Sequence, residues 1–167
     1  VLQSVMIKKD ITISFEEYSD ISELSEQDKK LCLEAEKALG SSHSPYSKFR
    51  VGAALLLKSG TIVYGSNQEN VAYPSGLCAE RVALFSAGAN HPGDPVMAMA
   101  VTAQTDLFNL TTPVTSCGGC LQVMAEYEKK QQKAFDIIFY CPGGKILKAK
   151  GVKTLMPFMF DEDRLEK

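Results

Sequence analysis

Apolar positions recur with two different periods along the chain, and the changes in period predict a succession of strands and helices. Two apolar segments, 51–58 and 61–66, flank Ser59 and Gly60 and therefore predict a β-hairpin. The segment 96–103 is apolar throughout, which is typical of a strand buried on both faces of a sheet. This third strand is therefore expected near the centre of the sheet.

Three segments have the apolar spacing of helices. Residues 25–40 carry an apolar stripe, and Ser25 with Asp28 forms the pattern of a capping box at its start. Residues 78–89 have helical spacing until a nearby glycine and proline end the pattern, and residues 118–132 repeat that spacing further along the chain. We therefore expect three main helices separated by strands.

Further strands are predicted towards both ends of the chain. The segments 136–141 and 145–150 surround a Pro-Gly-Gly turn and predict two strands. Alternating Ile11, Ile13 and Phe15 predict a short strand or an extended arm near the N-terminus. The order of these elements predicts an α/β fold, with helices on the faces of a mixed sheet of about five strands.

Composition narrows the classes of function. A chain of 167 residues with 45% hydrophobic and 23% charged residues suits one globular domain. The net charge is −2 and no block of basic residues occurs, so nucleic acid is not an expected partner. The longest apolar run, residues 51–57, is far shorter than the roughly 18 residues that a membrane span needs, so no membrane is expected either. Small polar or neutral ligands remain as the expected partners.

The chain has five cysteines, and an odd number without an export signal favours reduced thiols in a cytoplasmic protein. Cys32 lies in a helical segment and Cys141 ends an apolar strand, so both are interpreted as small buried hydrophobic residues. Cys117 and Cys120 form a C-x-x-C pair, which alone is compatible with a redox pair, half of a structural zinc site or part of a catalytic one. Cys78 is the third cysteine available for chemistry.

A shared metal ion best explains these three cysteines. Cys78 and Cys117 each precede a predicted helix, so two helix N-termini with their partial positive charges can meet and favour thiolates. Three protein ligands leave the fourth position of tetrahedral zinc to water, which is the catalytic arrangement. His43 and His91 are interpreted as solvated loop residues rather than ligands. Glu80 is close enough to reach such a water and is the expected general acid and base.

Several segments together resemble one known family. They are Cys-Ala-Glu-Arg at 78–81 with the C-x-x-C pair at 117–120, PYSKFRVGAALL at 45–56, GSNQENVAYPSGLCAER at 65–81 and LMPFMF at 155–160. These segments are similar to the small homotetrameric cytidine deaminases, over roughly residues 30–160. The resemblance implies a three-layer α-β-α sandwich, with residues 1–24 as an N-terminal extension and residues 25–167 as the catalytic domain.

The resemblance also implies roles for individual residues. It implies that Cys78, Cys117 and Cys120 are the ligands of one zinc ion per chain. It also implies that Glu80 is the proton shuttle. Asn67 and Glu69 match residues that hold the ribose, and an amide with a carboxylate suits sugar hydroxyls. Phe49 matches a residue that packs on the pyrimidine, and Ala79 matches one whose backbone N–H meets the pyrimidine oxygen.

Two aromatic residues are implied to complete a neighbouring subunit's site in a homotetramer. Phe160 and Tyr73 match family residues with that role, although ordinary core or interface packing explains an aromatic residue at either position equally well without the family. We therefore expect a homotetramer with shared active sites.

Two positions depart from the family pattern around the C-x-x-C pair. Ser116 stands where the family usually has proline, and it is expected to cap the following helix. Leu121 stands where the family usually has arginine, so a cation beside the thiolates is missing. Arg81 is then the expected residue for charge balance at the metal.

The implied function is zinc-dependent hydrolytic deamination of cytidine and 2′-deoxycytidine to the uracil nucleosides and ammonia, in pyrimidine salvage. A blasticidin-type deaminase shares the cysteine motifs, but the NQEN segment at 67–70 favours a nucleoside. A zinc-stabilised binding module would need a fourth ligand and would leave Glu80 without a role. A thioredoxin-like protein would place its C-x-x-C pair after the first strand of the fold.

Overall fold

The computed structural model describes residues 6–166 and, for Glu166, the backbone alone. The first five residues of the predicted N-terminal extension and Lys167 lie outside the described part of the chain. The strands are Glu16–Tyr18 (β1), Phe49–Leu57 (β2), Ile62–Ser66 (β3), Val96–Thr105 (β4), Asp136–Tyr140 (β5) and Ile146–Lys150 (β6). The helices are Glu26–Ala38 (α1), Ala79–Asn90 (α2), Gly118–Gln131 (α3) and Val152–Leu155 (α4).

The strands form one mixed sheet in the order β1-β6-β5-β4-β2-β3. The central pair β4 and β5 is parallel, and every other pair is antiparallel. The hairpin of β2 and β3 and the central position of β4 confirm the corresponding predictions. The sheet has six strands within residues 6–166, slightly more than the five or so that were predicted.

The additional strand comes from the N-terminal extension. Glu16–Tyr18 pairs with the edge strand β6, and Glu16 lies opposite Lys148. Ile11, Ile13 and Phe15, which predicted a short strand or an extended arm, lie outside any strand and are exposed, and β1 begins only at Glu16. The strand alternative is therefore wrong for these residues, because the residues that pair with β6 are the polar ones that follow them.

Helices cover both faces of the sheet, which confirms the three-layer α-β-α arrangement. On one face, α1 buries Leu31, Cys32 and Ala35 against the sheet. On the other face, α2 and α3 bury residues such as Leu84 and Met124. The two faces therefore have separate hydrophobic cores, and the second core extends to Cys78 and Cys120.

Two glycines bring the hairpin close to helices on opposite faces. A Cβ atom on Gly52 would lie 2.2 Å from the carbonyl oxygen of Ala35 in α1. A Cβ atom on Gly65 would lie 2.2 Å from the carbonyl oxygen of Ala79 and 2.5 Å from the nitrogen of Ala83, both in α2. Neither position has room for a side chain, because the nearest atoms belong to the helix backbone.

The start of α1 is fixed by its own sequence and by one buried ion pair. Ser25 accepts a hydrogen bond from the backbone nitrogen of Asp28 at 3.1 Å, so the predicted N-cap is confirmed. The carboxylate of Asp28 is buried and accepts a hydrogen bond from Lys148 of β6 at 2.7 Å. Lys148 also lies 3.1 Å from Asp136 of β5. This ion pair joins α1 to the sheet.

Among the described helices, none combines the length and the apolar character that crossing a membrane would require.

Candidate metal centre and pocket

The first turns of two helices bring three cysteines together. Cys78 is the N-cap of α2 and Cys117 is the N-cap of α3, and both have extended backbone conformations. Cys120 lies one turn into α3 and is fully buried. The three sulfur atoms all lie within 4.8 Å of one another. The convergence of the two helix N-termini that the sequence predicted is therefore present.

The donor set has the geometry and chemistry of a zinc site. Zinc–sulfur bonds of about 2.3 Å place the sulfurs of a tetrahedral site about 3.8 Å apart. The Sγ atoms of Cys117 and Cys120 are 3.6 Å apart. Within residues 6–166 these cysteines are the one cluster of three or more potential ligands, and neither histidine joins it. Three cysteine sulfurs, with no fourth protein ligand among the described residues, match the arrangement of a catalytic rather than a structural zinc site.

The surroundings of Cys78 favour its thiolate. A hydrogen bond from Cys120 and the guanidinium of Arg81 lower the pKa of the Cys78 thiol, although burial opposes the change, and the same hydrogen bond with burial raises the pKa of the Cys120 thiol. The Nη2 atom of Arg81 lies 3.7 Å from the sulfur of Cys78. Its Nε atom is buried and has no hydrogen-bond partner among the described residues. Arg81 therefore lies against a ligand, where the sequence analysis expects a balancing cation.

The other departure, Leu121, has joined the hydrophobic core instead of the polar site. It packs against the core cluster that contains Met124 and Leu84. An apolar side chain at this position therefore has a structural explanation. An apolar side chain in contact with the core thus stands where the resemblance led us to expect a cation.

Glu80 lies in the first turn of α2, close to the cysteines, and its side chain is only 4% exposed. The hydroxyl of Ser116 donates a hydrogen bond to its Oε1 atom at 2.6 Å. The prediction that Ser116 caps α3 is wrong, because Cys117 is the N-cap residue and makes no side-chain capping bond. The serine hydroxyl therefore binds a side chain of α2 and does not cap α3.

A pocket of about 800 Å³ opens beside the cysteines, and we call it the cysteine pocket. Its lining includes Cys78, Cys117 and Glu80 together with Asn67, Glu69 and Tyr73. A volume of this size lies in the range of small-molecule sites. With Arg81, which also belongs to the lining, seven residues that the sequence singled out line a single cavity.

Asn67 and Glu69 already have partners within the protein. The amide oxygen of Asn67 accepts hydrogen bonds from Ser42 and from the backbone nitrogen of Val51, and its nitrogen donates to the carbonyl oxygen of Phe49. These hydrogen bonds were not predicted from the sequence, since the partners of Asn67 lie at least 16 residues away along the chain.

The carboxylate of Glu69 holds the turn before β2. It accepts hydrogen bonds from the backbone nitrogens of Tyr46 and Ser47. The hydrogen bonds from Ser47, together with that from Tyr46, lower the pKa of Glu69, so the carboxylate is ionised at neutral pH. A negatively charged acceptor therefore lines the cysteine pocket.

Three of the predicted substrate residues lie outside the described lining of this pocket. Phe49 begins β2 and packs its ring 6.4 Å from the ring of Phe108. Ala79 is the fully buried first residue of α2. Phe160 is 70% exposed and lines a different cavity, where its backbone is hydrogen-bonded to the side chain of Gln122. Tyr73 does line the pocket and is 91% exposed.

Comparison with known proteins identifies relatives of this architecture. Residues 25–134 match the family model described as cytidine and deoxycytidylate deaminase zinc-binding region. A cytidine deaminase of Halalkalibacterium halodurans is 48% identical over 96 residues, which are 58% of this chain and 68% of the relative. A probable cytidine deaminase of Dictyostelium discoideum is 29% identical over 143 residues, which are 85% of this chain and 90% of the relative.

Solved structures show the same similarity. The crystal structure of cytidine deaminase from Burkholderia pseudomallei superposes with a TM-score of 0.69 at 34% identity. The superposition covers 82% of this chain and 100% of the other. The cytidine deaminase from Mycobacterium tuberculosis gives a TM-score of 0.62 at 26% identity, covering 83% of this chain and 99% of the other. The similarity therefore extends over the sheet and both of its helical layers.

Proposed function

The chain belongs to the family of cytidine and deoxycytidylate deaminases, and from this premise we propose that it catalyses the zinc-dependent hydrolytic deamination of cytidine and 2′-deoxycytidine. Water adds to C4 of the pyrimidine, and the products are the uracil nucleoside and ammonia. The observation that carries the proposal is the position of Glu80, a buried carboxylate that lines the same pocket as the cysteine cluster.

Zinc held by Cys78, Cys117 and Cys120 would supply an activated water at neutral pH. The carboxylate of Glu80 would take a proton from the attacking water and deliver it to N3 of the pyrimidine as the C4–O bond forms. It would then take the hydroxyl proton of the C4 adduct and deliver it to the amino group, so that the C4–N bond breaks, the C4 carbonyl forms and ammonia leaves. Burial keeps the carboxylate away from bulk water, which would otherwise compete for the proton.

The other assigned residues bind and orient the nucleoside in this proposal. Asn67 and Glu69 are assigned to the ribose, because both line the cysteine pocket and Glu69 offers an ionised acceptor to a sugar hydroxyl. The backbone N–H of Ala79 is assigned to the pyrimidine oxygen and the ring of Phe49 to the pyrimidine face, both on the resemblance. Arg81 is assigned to charge balance at the metal, which its contact with Cys78 supports.

The charges around the pocket favour nucleosides over deoxycytidylate, the nucleotide that the family name also includes. The charged residues of the described lining are two carboxylates, Glu69 and Glu80, and one guanidinium, Arg81. The guanidinium is already in contact with Cys78. A phosphate would therefore meet a negative field without a free cation to bind it.

A homotetramer with shared sites, a cytoplasmic location and a role in pyrimidine salvage complete the proposal. The exposed aromatic rings of Phe160 and Tyr73 are available to a neighbouring subunit. All five cysteines are free thiols, which suits a reducing compartment. Light scattering tests the assembly, and an active monomer would contradict the shared sites.

Two measurements test the central proposal. Metal analysis of the purified protein should find one zinc per chain, and less than half an equivalent in folded protein would contradict the metal centre. Addition of cytidine or deoxycytidine should produce the loss of ultraviolet absorbance that accompanies deamination, whereas deoxycytidylate should react much more slowly. Absence of turnover with both nucleosides by the zinc-loaded protein would overturn the assignment.

A further inference from the structure

The hydrogen bond between Ser116 and Glu80 joins two segments that lie 36 residues apart in sequence. Ser116 lies in the loop that leads into α3, and Glu80 lies in the first turn of α2. The distance of 2.6 Å lies in the range of a hydroxyl that donates to a carboxylate. Among the described residues, Ser116 is the hydrogen-bond partner of this carboxylate.

The two oxygens of Glu80 consequently have different surroundings. Oε1 accepts the bond from Ser116, whereas the described residues provide no hydrogen bond to Oε2. A carboxylate held at one oxygen can no longer rotate freely about its last torsion, because rotation would break the bond. One oxygen thus anchors the group and the other remains available to exchange a proton with a ligand in the pocket.

We propose that Ser116 is a positioning residue for the deamination reaction, and that its hydroxyl fixes Oε1 of Glu80 so that Oε2 performs the proton transfers. This inference rests on the proposed function, and it deepens it by assigning different tasks to the two oxygens. The family pattern that the sequence resembles has proline at this position, which has no hydroxyl, so the resemblance alone does not imply this hydrogen bond.

A purely structural role for Ser116 is the alternative. The same hydrogen bond also ties the loop before α3 to α2, and these two helices carry the metal ligands. If this tie is the whole role, removal of the hydroxyl should loosen the metal and the pocket, and zinc content, thermal stability and KM should all change. If the role is positioning, these quantities should remain constant while kcat falls.

The experiment compares zinc-loaded wild type with Ser116→Ala and with the isosteric pair Ser116→Thr and Ser116→Val. Threonine keeps the hydroxyl and valine replaces it by a methyl group of the same shape, so their difference isolates the hydrogen bond. Thr112→Ala is the control, because Thr112 is an exposed hydroxyl residue of the same loop. Each protein is assayed with cytidine for kcat and KM and analysed for zinc and thermal midpoint.

We expect kcat of Ser116→Ala and Ser116→Val to fall about 10- to 100-fold, as is typical when a reacting group loses its orientation. KM should stay within about twofold of wild type, a change too small to reflect lost binding energy, and one zinc per chain should remain. Ser116→Thr should retain most of the wild-type kcat, and Thr112→Ala all of it. Equal kcat for the threonine and valine variants would overturn the inference, even if Ser116→Ala does not fold.

A second readout does not depend on turnover. In protein labelled with ¹³C at the glutamate carboxyl carbons, the resonance of Glu80 is the one missing from Glu80→Gln. Ser116→Val should shift this resonance and Ser116→Thr should leave it close to its wild-type position. An unshifted resonance in the valine variant would contradict the hydrogen bond itself. If wild type fails to deaminate cytidine although this shift is seen, the proposed function fails and the contact between the two residues stands.

Discussion

The molecule has two buried carboxylates in the first turns of helices on opposite faces of the sheet, and they are held very differently. Asp28 in α1 is 6% exposed and pairs with Lys148 at 2.7 Å. Glu80 in α2 is 4% exposed and accepts its hydrogen bond from a neutral hydroxyl, that of Ser116. The described residues form no ion pair with Glu80. Burial and position in the helix are alike, and only the partner differs.

The difference shows how a fold separates a structural acid from a reactive one. Lys148 pairs with Asp28 and also contacts Asp136, so the charge of Asp28 is used within the fold and is not available to a ligand. A neutral hydroxyl orients Glu80 without neutralising it, which leaves its charge available to a proton. A substitution at Asp28 should therefore affect folding, and a substitution at Glu80 should affect chemistry.

The largest expected effect is that of Glu80→Gln on turnover. The amide cannot carry a proton, so kcat should fall by at least the ~10²–10⁴-fold typical of a general acid and base. Zinc content and thermal midpoint should remain close to those of wild type, because glutamine can still accept a bond from Ser116. Asp28→Asn is the matched control and should show the reverse, with a lower midpoint and an unchanged kcat for the folded fraction. Near-normal turnover by Glu80→Gln would remove the distinction between the two acids.

The second effect concerns stability on the α1 face. Burial alone would lower the pKa of Lys148, but its hydrogen bonds to Asp28 and Asp136 raise it above the ordinary range of a lysine. A raised pKa means that the protonated lysine stabilises the fold throughout the neutral range, and that on the alkaline side this contribution is lost as the pH rises through the raised pKa. Lys148→Met leaves the buried Asp28 without its cation, whereas Asp136 keeps Lys150 at 2.7 Å. The free energy of unfolding should therefore decrease by about 3 kcal/mol in urea titrations.

Lys145→Met is the control for that experiment, because Lys145 pairs with Glu17 and both side chains are about half exposed. Its unfolding midpoint should be nearly unchanged. If both variants lose equal stability, the ion pair of Lys148 has no special structural role.

A smaller effect is expected for Arg81→Gln on metal affinity. The contact with the Cys78 sulfur stabilises the thiolate, and loss of such a partner to a ligand typically weakens metal binding about tenfold or more. Competition with a chelator measures the change. Arg50→Gln is the matched control, since Arg50 pairs with Asp106 away from the cysteines. Equal zinc affinities for the two variants would show that the charge of Arg81 does not act on the metal.

The smallest predicted effect is that of Asn67→Ala. Its amide bonds to Phe49, Val51 and Ser42, so the substitution should lower the free energy of unfolding by about 1–2 kcal/mol. KM for cytidine should rise about threefold to tenfold with a much smaller change in kcat, because uniform binding is lost. Asn109→Ala, in an exposed loop, serves as the control. A change in kcat alone would place Asn67 with the reacting groups and not with the ribose.

Sequence alone predicted what depends on local pattern or on the spacing of motifs. Helical period and capping residues were enough for α1, and the positions of Cys78 and of the C-x-x-C pair were enough for the cluster that can hold a metal. The partner of Ser116 was not predictable in this way. A serine before a helix is typical of an N-cap, and only the packing of α2 beside α3 shows that a buried carboxylate competes for its hydroxyl.

The same limit applies to the partners of other residues. The contacts of Asn67 come from segments that approach it only after β2 and β3 have paired. The edge strand β1 depends on an exposed β6 that can accept it, and its three residues have no apolar alternation of their own. Tertiary neighbours determine these features, so a single sequence without the fold cannot reveal them.

Gly65 fixes the distance between β3 and the start of α2, because it has no Cβ atom. Its missing Cβ lets β3 rest directly on the backbone of Ala79, the residue between Cys78 and Glu80. The height of these two side chains above the sheet is thus determined by direct contact between two backbones, with no flexible side chain between them. Even one methyl group at this position would push α2 away from the sheet and move Cys78 relative to the two cysteines at the start of α3. The alignment of the site is therefore built into the hairpin.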